Sequence, residues 1–400
     1  MAPIPAHGMS IRTPLRIRIR ILAVAASVTI IFIALLMLRH IRRTNINGQL
    51  NCPATANTLR GPEKRRVGKT KGVSGIFFMG KKYKNLIQQI SDIENIRDAY
   101  YKTAKGKKSS NNYLTFKEYA ELNLSEISND ILNDNYIQGE YYNFYINEPK
   151  LRLISALPFR DRIVQHSINN IIEPIFDKTF LPYTFACRKN KGTHSGVKYL
   201  QSQLRKTKSK YFLKADIKGY FHSIDRKILY DKVRNKIKCN DTIELLKRIN
   251  YPVGKGIPIG SLLSQLFANI YGSILDDFIH YKINPVAWVR YMDDFVIIGN
   301  DQKKLRSDVD NIRMFLHEEM KMEYSKWSVS NVNRGINFLG YRIWPYHKLL
   351  RRQSVNRARK KIKYFNEQGL HEDKIKFLAS WIGHAKWADT NNLFNDMEVS

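Results

Sequence analysis

Hydrophobic and polar positions alternate with different periods along the chain, and these periods predict a mixed α+β fold. Residues 85–148 combine short amphipathic helices with polar breaks. Apolar and polar side chains alternate along residues 141–158, and this stretch contains Pro149 and ends at Pro158, a pattern that favours a β-hairpin. Residues 159–176 repeat isoleucines at helical spacing. Residues 211–215 and 288–299 are rich in aromatic and β-branched side chains, which is typical of strands.

Acidic residues end or interrupt these predicted strands. Asp216 follows strand 211–215, so its side chain is expected at a strand end, above a cleft. Asp293 and Asp294 interrupt residues 288–299, which predicts a hairpin with both acids at its tip. Adjacent carboxylates repel each other, so this pair needs cations nearby. Two Mg²⁺ ions, with Mn²⁺ as a substitute, would supply them and could serve nucleotidyl transfer.

A second acidic pair, Asp276 and Asp277, provides an internal comparison. Phe267, Ile270 and Ile274 recur before it at helical spacing. The pattern predicts a helix with one apolar face and with both acids facing solvent. An acidic pair alone is therefore weak evidence for a catalytic site, whereas YMDD between two apolar strands is more specific.

The charge of the chain indicates a polyanionic partner. The 400 residues include 67 Lys+Arg against 35 Asp+Glu, a net charge of +32, which favours nucleic acid as that partner. Apolar residues make up 43% of the chain, enough to exclude intrinsic disorder, and the length predicts two or three subdomains. Cys52, Cys187 and Cys239 lack the spacing of a zinc site or of a disulfide framework.

Residues 1–78 form a basic extension with a distinct composition. Within it, residues 21–38 are an uncharged apolar run of 18 residues, close to the ~20 that a membrane-spanning helix needs. One interpretation is a membrane anchor that holds the protein at the inner face of a membrane. The other is an upstream-extended reading frame, with a cytoplasmic protein that starts near Met79.

Four segments resemble the motifs of reverse transcriptases. DIKGYF (216–221) resembles the first catalytic motif, YMDD (291–294) the third, and FLGY (338–341) the primer grip. Residues 256–265 resemble the second motif, but with a departure. Most reverse transcriptases have Gln-Gly-x-x-x-Ser-Pro there, whereas this chain has Ile-Gly-x-x-x-Ser-Gln.

That second motif, together with residues 150–162 and 186–194, resembles the enzymes of diversity-generating retroelements, which are related to group II intron and retron reverse transcriptases. The resemblance covers roughly residues 80–390. It implies a right-hand polymerase fold in which an antiparallel palm sheet carries the YMDD hairpin. The expected parts are a basic extension (1–78), a helical region with fingers (79–210), a palm (211–345) and a basic helical thumb (346–400).

The resemblance also implies roles for individual residues. The catalytic acids are Asp216, Asp293 and Asp294, which would hold the two metal ions together with the carbonyl of Ile217. Phe221 matches the steric gate, an aromatic ring that leaves no room for a 2′ hydroxyl. The expected nucleotide-binding residues are Arg152, Arg188, Phe221, Ile259, Gly260 and Gln265, with Lys150 and Lys189 as weaker candidates.

Two further assignments come from the same resemblance. Lys326 roughly matches a lysine that protonates the leaving pyrophosphate, so it is a candidate general acid. The primer grip would consist of Phe338, Leu339, Gly340 and Tyr341. Residues 351–365 hold seven Lys+Arg in fifteen positions without an acid, a composition suited to contact with a nucleic-acid backbone.

The expected activity is synthesis of DNA from dNTPs on an RNA template, with a DNA or RNA primer and a small basic accessory protein as partners. Because isoleucine at position 259 cannot hydrogen-bond as glutamine does, reduced fidelity at template adenines is expected. Alternatives are a group II intron-like, retron or abortive-infection defence reverse transcriptase, an RNA-dependent RNA polymerase, and a membrane-tethered RNA-binding protein with an idle site. Phe221 and the intact acids argue against the last two.

Overall fold

The computed structural model describes residues 82–147, 151–249 and 254–397. Within these ranges no helix has the length and apolar character needed to cross a membrane. The apolar run at 21–38 and the candidate Lys150 lie outside the described residues. Phe365–His384 cluster into one compact unit, and the other described residues belong to a second.

Helices dominate the first described segment, as its amphipathic pattern predicts. Polar breaks divide it, and Asp92 caps the second helix by accepting a hydrogen bond from the Asn95 amide at 3.2 Å. The next predicted helix is also confirmed, at Phe159–Asp177 (α5), and its isoleucines are buried except Ile171, which is partly buried. The first four helices are α1 (Leu86–Ser91), α2 (Ile93–Ala104), α3 (Asn111–Glu118) and α4 (Ala120–Leu132).

The predicted hairpin before α5 is also confirmed. Strands β1 (Tyr142–Asn147) and β2 (Leu151–Ala156) pair in antiparallel register, with Phe144 opposite Ile154. Six further helices follow α5: α6 (Thr193–Thr207), α7 (Tyr220–Ser223), α8 (Arg226–Arg234), α9 (Asn240–Ile249), α10 (Leu262–Phe278) and α11 (Gln302–Met320). A π-helical turn, Ile279–Ile283, extends α10.

A four-stranded antiparallel sheet, here called the central sheet, packs one face against the main hydrophobic core. Its strand order is β4-β5-β3-β6, and all neighbouring strands are antiparallel. The predicted strand at 211–215 and the predicted hairpin at 288–299 are both part of it. The strands are β3 (Tyr211–Ile217), β4 (Ala287–Tyr291), β5 (Asp294–Gly299) and β6 (Tyr324–Asn331).

The two faces of the central sheet differ in character because successive side chains point to opposite sides. Leu213 and Ala215 of β3 and Phe295 of β5 join the main hydrophobic core, together with buried residues of α10 and α11. Lys214 and Asp216 occupy the intervening positions and therefore lie on the opposite face. The core thus supports a sheet whose other face carries charged groups.

The remaining elements follow the central sheet in the chain. Val332–Arg334 form a 3₁₀ turn, which leads into a three-stranded antiparallel sheet. This second sheet consists of β7 (Ile336–Phe338), β8 (Tyr341–Ile343) and β9 (Lys348–Leu350). The predicted basic helix is present as α12 (Arg352–Glu367), followed by α13 (His371–Ala385) and α14 (Asn391–Asp396).

The acidic pair of α10 corrects one prediction. The helix is present, but Asp276 faces the interior, because Arg290 lies on the core face of β4 and needs a carboxylate. Nε and Nη2 of Arg290 each donate to Asp276 at 2.6 Å, and both side chains are 1% exposed. Gly272 leaves room for the guanidinium, since a Cβ there would lie 2.5 Å from Nη1. Asp277 is only half-buried and pairs with Lys232 at 3.0 Å.

Replacement of Asp276 by alanine should strongly destabilise the protein, because it leaves the buried guanidinium of Arg290 without a partner. Loss of one member of a buried ion pair typically costs about 3–5 kcal/mol. The matched control, Asp277→Ala, removes a half-exposed partner and should cost about 0–1 kcal/mol. Urea unfolding of the two variants measures the difference. Equal losses of stability would show that the Arg290–Asp276 pair has no special role.

Candidate active site

Charged residues form a row across the end of the central sheet. Asp216 on β3 lies directly opposite Asp294 on β5 and opposite Lys326 on β6. Directly opposed residues of antiparallel strands project from the same face. The register therefore places Asp294, Asp216 and Lys326 side by side on the face that does not join the main core.

The turn between β4 and β5 brings Asp293 to the same place. Met292 and Asp293 are its two residues, and Met292 has φ +55°, a left-handed conformation that costs a non-glycine residue about 1 kcal/mol. Nη1 of Arg290 donates to the Met292 carbonyl at 3.0 Å, and the Ile217 amide donates to the Asp293 carbonyl at 3.1 Å. These bonds hold the turn against the end of β3.

The electrostatics of Asp293 show that the acids converge. Burial, followed by the neighbouring carboxylate of Asp216, raises the pKa of Asp293 to about 6, and Asp294 adds to this effect. Arg152 acts in the opposite direction and lowers that pKa. The carboxylates are thus close enough to repel each other, and the ionised form of Asp293 needs a further positive charge.

Asp294 already has a cationic partner within the protein. Nζ of Lys214 donates to Oδ1 and Oδ2 of Asp294 at 2.6 and 2.8 Å, and the two side chains are 17% and 19% exposed. Burial raises the pKa of Asp294, while Lys214 and then Arg351 oppose this increase. The ring of Phe338 lies 5.8 Å from the same ammonium group. Lys214 therefore neutralises Asp294, a contact that the sequence analysis missed.

The remaining two acids fit a divalent cation. Within the described residues, no ion pair engages Asp216 or Asp293, and no cluster of three or more metal-binding side chains is present. Asp294 is the one of the three predicted acids that is paired with a cation, Lys214. Carboxylate oxygens are the ligands that Mg²⁺ prefers. The negative charge at Asp216 and Asp293 is not balanced by an ion pair and therefore suits such an ion. The carbonyl of Ile217, the residue after Asp216, is the further ligand that the resemblance implies.

The segment that resembles the second motif, residues 256–265, is bonded to both β2 and α5. The Ser155 amide donates to the Ile259 carbonyl at 2.8 Å, and Gly260 has φ +115°. A Cβ at Gly260 would lie 2.9 Å from the Ser155 carbonyl oxygen, so only glycine fits. Oε1 of buried Gln165 accepts hydrogen bonds from the Ser261 hydroxyl and the Leu262 amide at the start of α10. Gln265 lies half-buried in the first turn of that helix.

Phe221 connects the first and second motifs. It lies in α7, directly after β3, and its carbonyl accepts a hydrogen bond from the Ile257 amide at 2.9 Å. Its half-buried ring meets that of Tyr220 edge-on at 6.0 Å. The side chain packs partly against the core, and its role as a steric gate stays a prediction.

The two predicted nucleotide-binding arginines differ in their surroundings. Arg152 is exposed on β2 and acts electrostatically on Asp293. In contrast, Arg188 is 8% exposed, its Nε donates to Asp177 at 2.6 Å, and its Nη1 donates to the Leu181 carbonyl at 2.8 Å. Further bonds to Thr184 occupy the same guanidinium. Arg188 thus stabilises its own loop, and its role in nucleotide binding stays a prediction.

The remaining candidates lie in three different elements. Lys326 is exposed on the edge strand opposite Asp216, whereas Lys189, a weaker candidate, pairs with Glu173 at 3.2 Å. Residues 338–341 form a tight turn between β7 and β8. Its two central residues, Leu339 and Gly340, have φ +49° and +91°, and the flanking Phe338 and Tyr341 are buried.

Comparison with known proteins agrees with these motifs. Residues 146–343 match the family described as reverse transcriptase (RNA-dependent DNA polymerase). Protein YkfC of Escherichia coli K12 is 26% identical over 278 residues, which cover 56% of this chain and 71% of YkfC. Group II intron-encoded protein LtrA of Lactococcus lactis is 22% identical, with coverage of 56% and 50%. The retron Ec73 reverse transcriptase of E. coli is 24% identical, with coverage of 46% and 64%.

The raised pKa of Asp293 predicts a pH-dependent gain of stability in Asp293→Asn. The folded protein retains the Asp293 proton up to about pH 6, whereas the unfolded chain loses it near the ordinary value of 3.8. Metal-free wild-type protein therefore loses stability as the pH rises between these values, by up to about 3 kcal/mol. The asparagine variant avoids this loss.

Urea unfolding in EDTA at pH 4 and pH 7.5 measures this effect. We expect Asp293→Asn to exceed the wild type in stability at pH 7.5 and to match it near pH 4. Asp277→Asn serves as the control for the same chemical change at a half-exposed position. A constant difference between Asp293→Asn and the wild type across this range would contradict the raised pKa of Asp293 in the folded protein.

Proposed function

We propose that this chain, which carries a reverse transcriptase domain over residues 146–343, is an RNA-directed DNA polymerase that extends a primer on an RNA template. The main support is the convergence of Asp216 and Asp293 on one face of the central sheet, beside a turn fixed by Arg290. The chain spans about half the length of LtrA and 71% of YkfC, so its template, primer and partners are part of the proposal.

The proposed mechanism assigns a distinct role to each side chain. Asp216 and Asp293 would hold divalent ions, and these ions, when bound, would supply activation of the primer 3′ hydroxyl and neutralisation of charge on the triphosphate. Lys214 balances the charge of Asp294 and keeps that carboxylate at a fixed position. Burial lowers the pKa of Lys214, while Asp294 opposes this decrease.

Basic and aromatic groups complete the proposed site. Arg152 contacts the phosphates of the incoming nucleotide, and Lys326 donates a proton to the leaving pyrophosphate. Phe221 packs under the sugar and excludes ribonucleotides. In this proposal the central sheet belongs to the palm (211–345), residues 79–210 supply the fingers, and residues 346–400 supply the thumb with the basic helix α12.

The finer proposal is a diversity-generating reverse transcriptase that miscopies template adenines. Its support is the second motif, in which Ile259 precedes Gly260 and Gln265 takes the place of the usual proline. A small basic accessory protein is part of this proposal. The alternative is a group II intron-like or retron enzyme, which the similarity to LtrA and to the retron Ec73 reverse transcriptase favours.

Primer extension by the full chain tests the proposed activity. With an RNA template and Mg²⁺, we expect extension with dNTPs but not with ribonucleotides. Asp293→Asn should reduce the rate by at least about 100-fold, since it removes a charge that the transition state requires. Asp277→Asn, the same change in the other acidic pair, should retain the wild-type rate. Equal activity of Asp293→Asn and Asp277→Asn would show that Asp293 does not take part in the reaction.

Sequencing of the products separates the two subtypes. Errors concentrated opposite template adenine in wild-type cDNA, and reduced in Ile259→Gln, support the diversity-generating proposal, because glutamine restores a hydrogen-bonding group near the nucleotide. An even error spectrum favours the group II intron-like or retron alternative. Adenine-specific errors that are equal in both enzymes would remove Ile259 from the explanation.

A further inference from the structure

A buried glutamine joins α5 to the segment that resembles the second motif, residues 256–265. Gln165 is 1% exposed, although glutamine is mostly found at protein surfaces. Its Oε1 accepts hydrogen bonds from three donors at the start of α10. These donors are the Ser261 hydroxyl at 2.9 Å, the Leu262 amide at 3.0 Å and the Leu263 amide at 3.5 Å.

These hydrogen bonds complete the first turn of α10. The first amides of a helix have no partner within the helix, so they need acceptors from elsewhere. Ser261 is the N-cap residue of α10 and accepts a hydrogen bond from the Ser264 amide at 3.4 Å. Gln165 supplies the acceptor for the two amides between these serines. The position of the first turn of α10 therefore depends on a side chain from another helix.

Residues 257–262 are attached at two further places. The Ile257 amide donates to the Phe221 carbonyl at 2.9 Å, and the Ser155 amide donates to the Ile259 carbonyl at 2.8 Å. Both bonds join backbone atoms, and a side-chain substitution leaves such bonds in place. Of these three attachments, the one to α5 is made by a side chain, so it depends on the identity of residue 165.

One end of the Gln165 amide makes these contacts. Its Nε2 is buried and has no hydrogen-bond partner among the described residues, whereas Oε1 has three. Two backbone amides that face the same atom require an acceptor, because an amide N–H only donates. The contribution of Gln165 therefore lies in its acceptor oxygen. Glutamate has the same length and two acceptor oxygens, so it can reproduce these hydrogen bonds.

The two ends of α10 support different parts of the proposed site. The first turn follows Ile259 and Gly260, whereas Asp276 near the other end holds Arg290 and thereby the turn that presents Asp293. The first turn and Asp276 are about 21 Å apart along the helix, at about 1.5 Å per residue. Loss of the contact at the first turn should therefore displace the second motif while the turn at Asp293 keeps its position.

We propose that Gln165 is a positioning residue that holds Ile259 and Gly260 where the incoming nucleotide contacts them. It thereby sets the affinity for the nucleotide rather than the rate of the chemical step. The fit leaves little tolerance, since a Cβ at Gly260 would lie 2.9 Å from the Ser155 carbonyl oxygen. This proposal rests on the proposed function, because that function places Ile259 beside the nucleotide.

Single-turnover primer extension by the full chain at a series of dNTP concentrations tests this role, because it separates the nucleotide Kd from the maximal rate. Gln165→Met keeps a side chain of similar length but removes the acceptor. We expect a roughly tenfold higher Kd in this variant, with a maximal rate within about threefold of the wild type. Gln165→Glu retains the acceptor at a helix N-terminus, which favours negative charge, and should keep the Kd within about threefold of the wild type.

Asn95→Ala is the matched control for a general loss of stability. Asn95 also holds α5, because its Nδ2 donates to the Ser167 carbonyl at 3.1 Å and its Oδ1 accepts from Asn170 at 2.9 Å. Ser167 lies about 200° around the helix from Gln165, so Asn95 contacts another side of α5. We expect both Asn95→Ala and Gln165→Met to unfold at a lower temperature than the wild type, but Asn95→Ala to keep the wild-type Kd.

Hydrogen exchange of the Leu262 amide, measured without substrate, tests the structural link separately from activity. We expect protection of this amide in the wild type and in Gln165→Glu, and at least about tenfold faster exchange in Gln165→Met, which leaves the amide without an acceptor. Equal exchange in the wild type and Gln165→Met would overturn the proposal, since the first turn of α10 would then not depend on Gln165.

Three kinetic results would also overturn the positioning role: an unchanged Kd in Gln165→Met, an equal increase of Kd in Asn95→Ala, or a Kd in Gln165→Glu as high as that in Gln165→Met. A wild-type chain that extends no primer would contradict the proposed function, and the positioning role with it. An active wild type whose Kd is unchanged in Gln165→Met would refute the positioning role alone.

Discussion

The buried ion pair between Arg290 and Asp276 is the constraint on which the candidate site depends. Arg290 lies on the core face of β4, and its guanidinium reaches α10 through the space that Gly272 leaves open. The same guanidinium donates to the carbonyl of Met292 and thereby supports a left-handed turn residue. A buried pair of this kind adds little net stability compared with apolar packing, but it fixes geometry. Here it fixes the turn that presents Asp293.

The distribution of charge around that turn explains how three acids share one face of the sheet. Lys214 neutralises Asp294 from within the protein, and Arg351 contributes from further away. Asp216 and Asp293 have no comparable partner among the described residues, and burial, followed by repulsion from Asp216, raises the pKa of Asp293. The protein thus compensates one carboxylate and leaves two available for a ligand of positive charge, which is the condition that a divalent ion requires.

The sequence predicted the strands, the acidic hairpin and the basic helix, because each depends on a local pattern of a few residues. It failed where a long-range partner decides the outcome. Asp276 faces inward because Arg290 approaches it from another element. Lys214 could have been found, since a residue two positions before Asp216 shares its face of the strand.

Binding of Mn²⁺, measured by electron paramagnetic resonance, tests most directly whether Asp216 and Asp293 form the cation site while Lys214 retains Asp294. Loss of either free carboxylate, in Asp216→Asn or Asp293→Asn, should weaken Mn²⁺ binding at least about tenfold, because a ligand and a negative charge are lost together. The charge-neutral double variant Lys214→Met with Asp294→Asn should bind within about threefold of the wild type, since it removes an already balanced pair. A loss in the double variant as large as that in the single variants would contradict this division of roles.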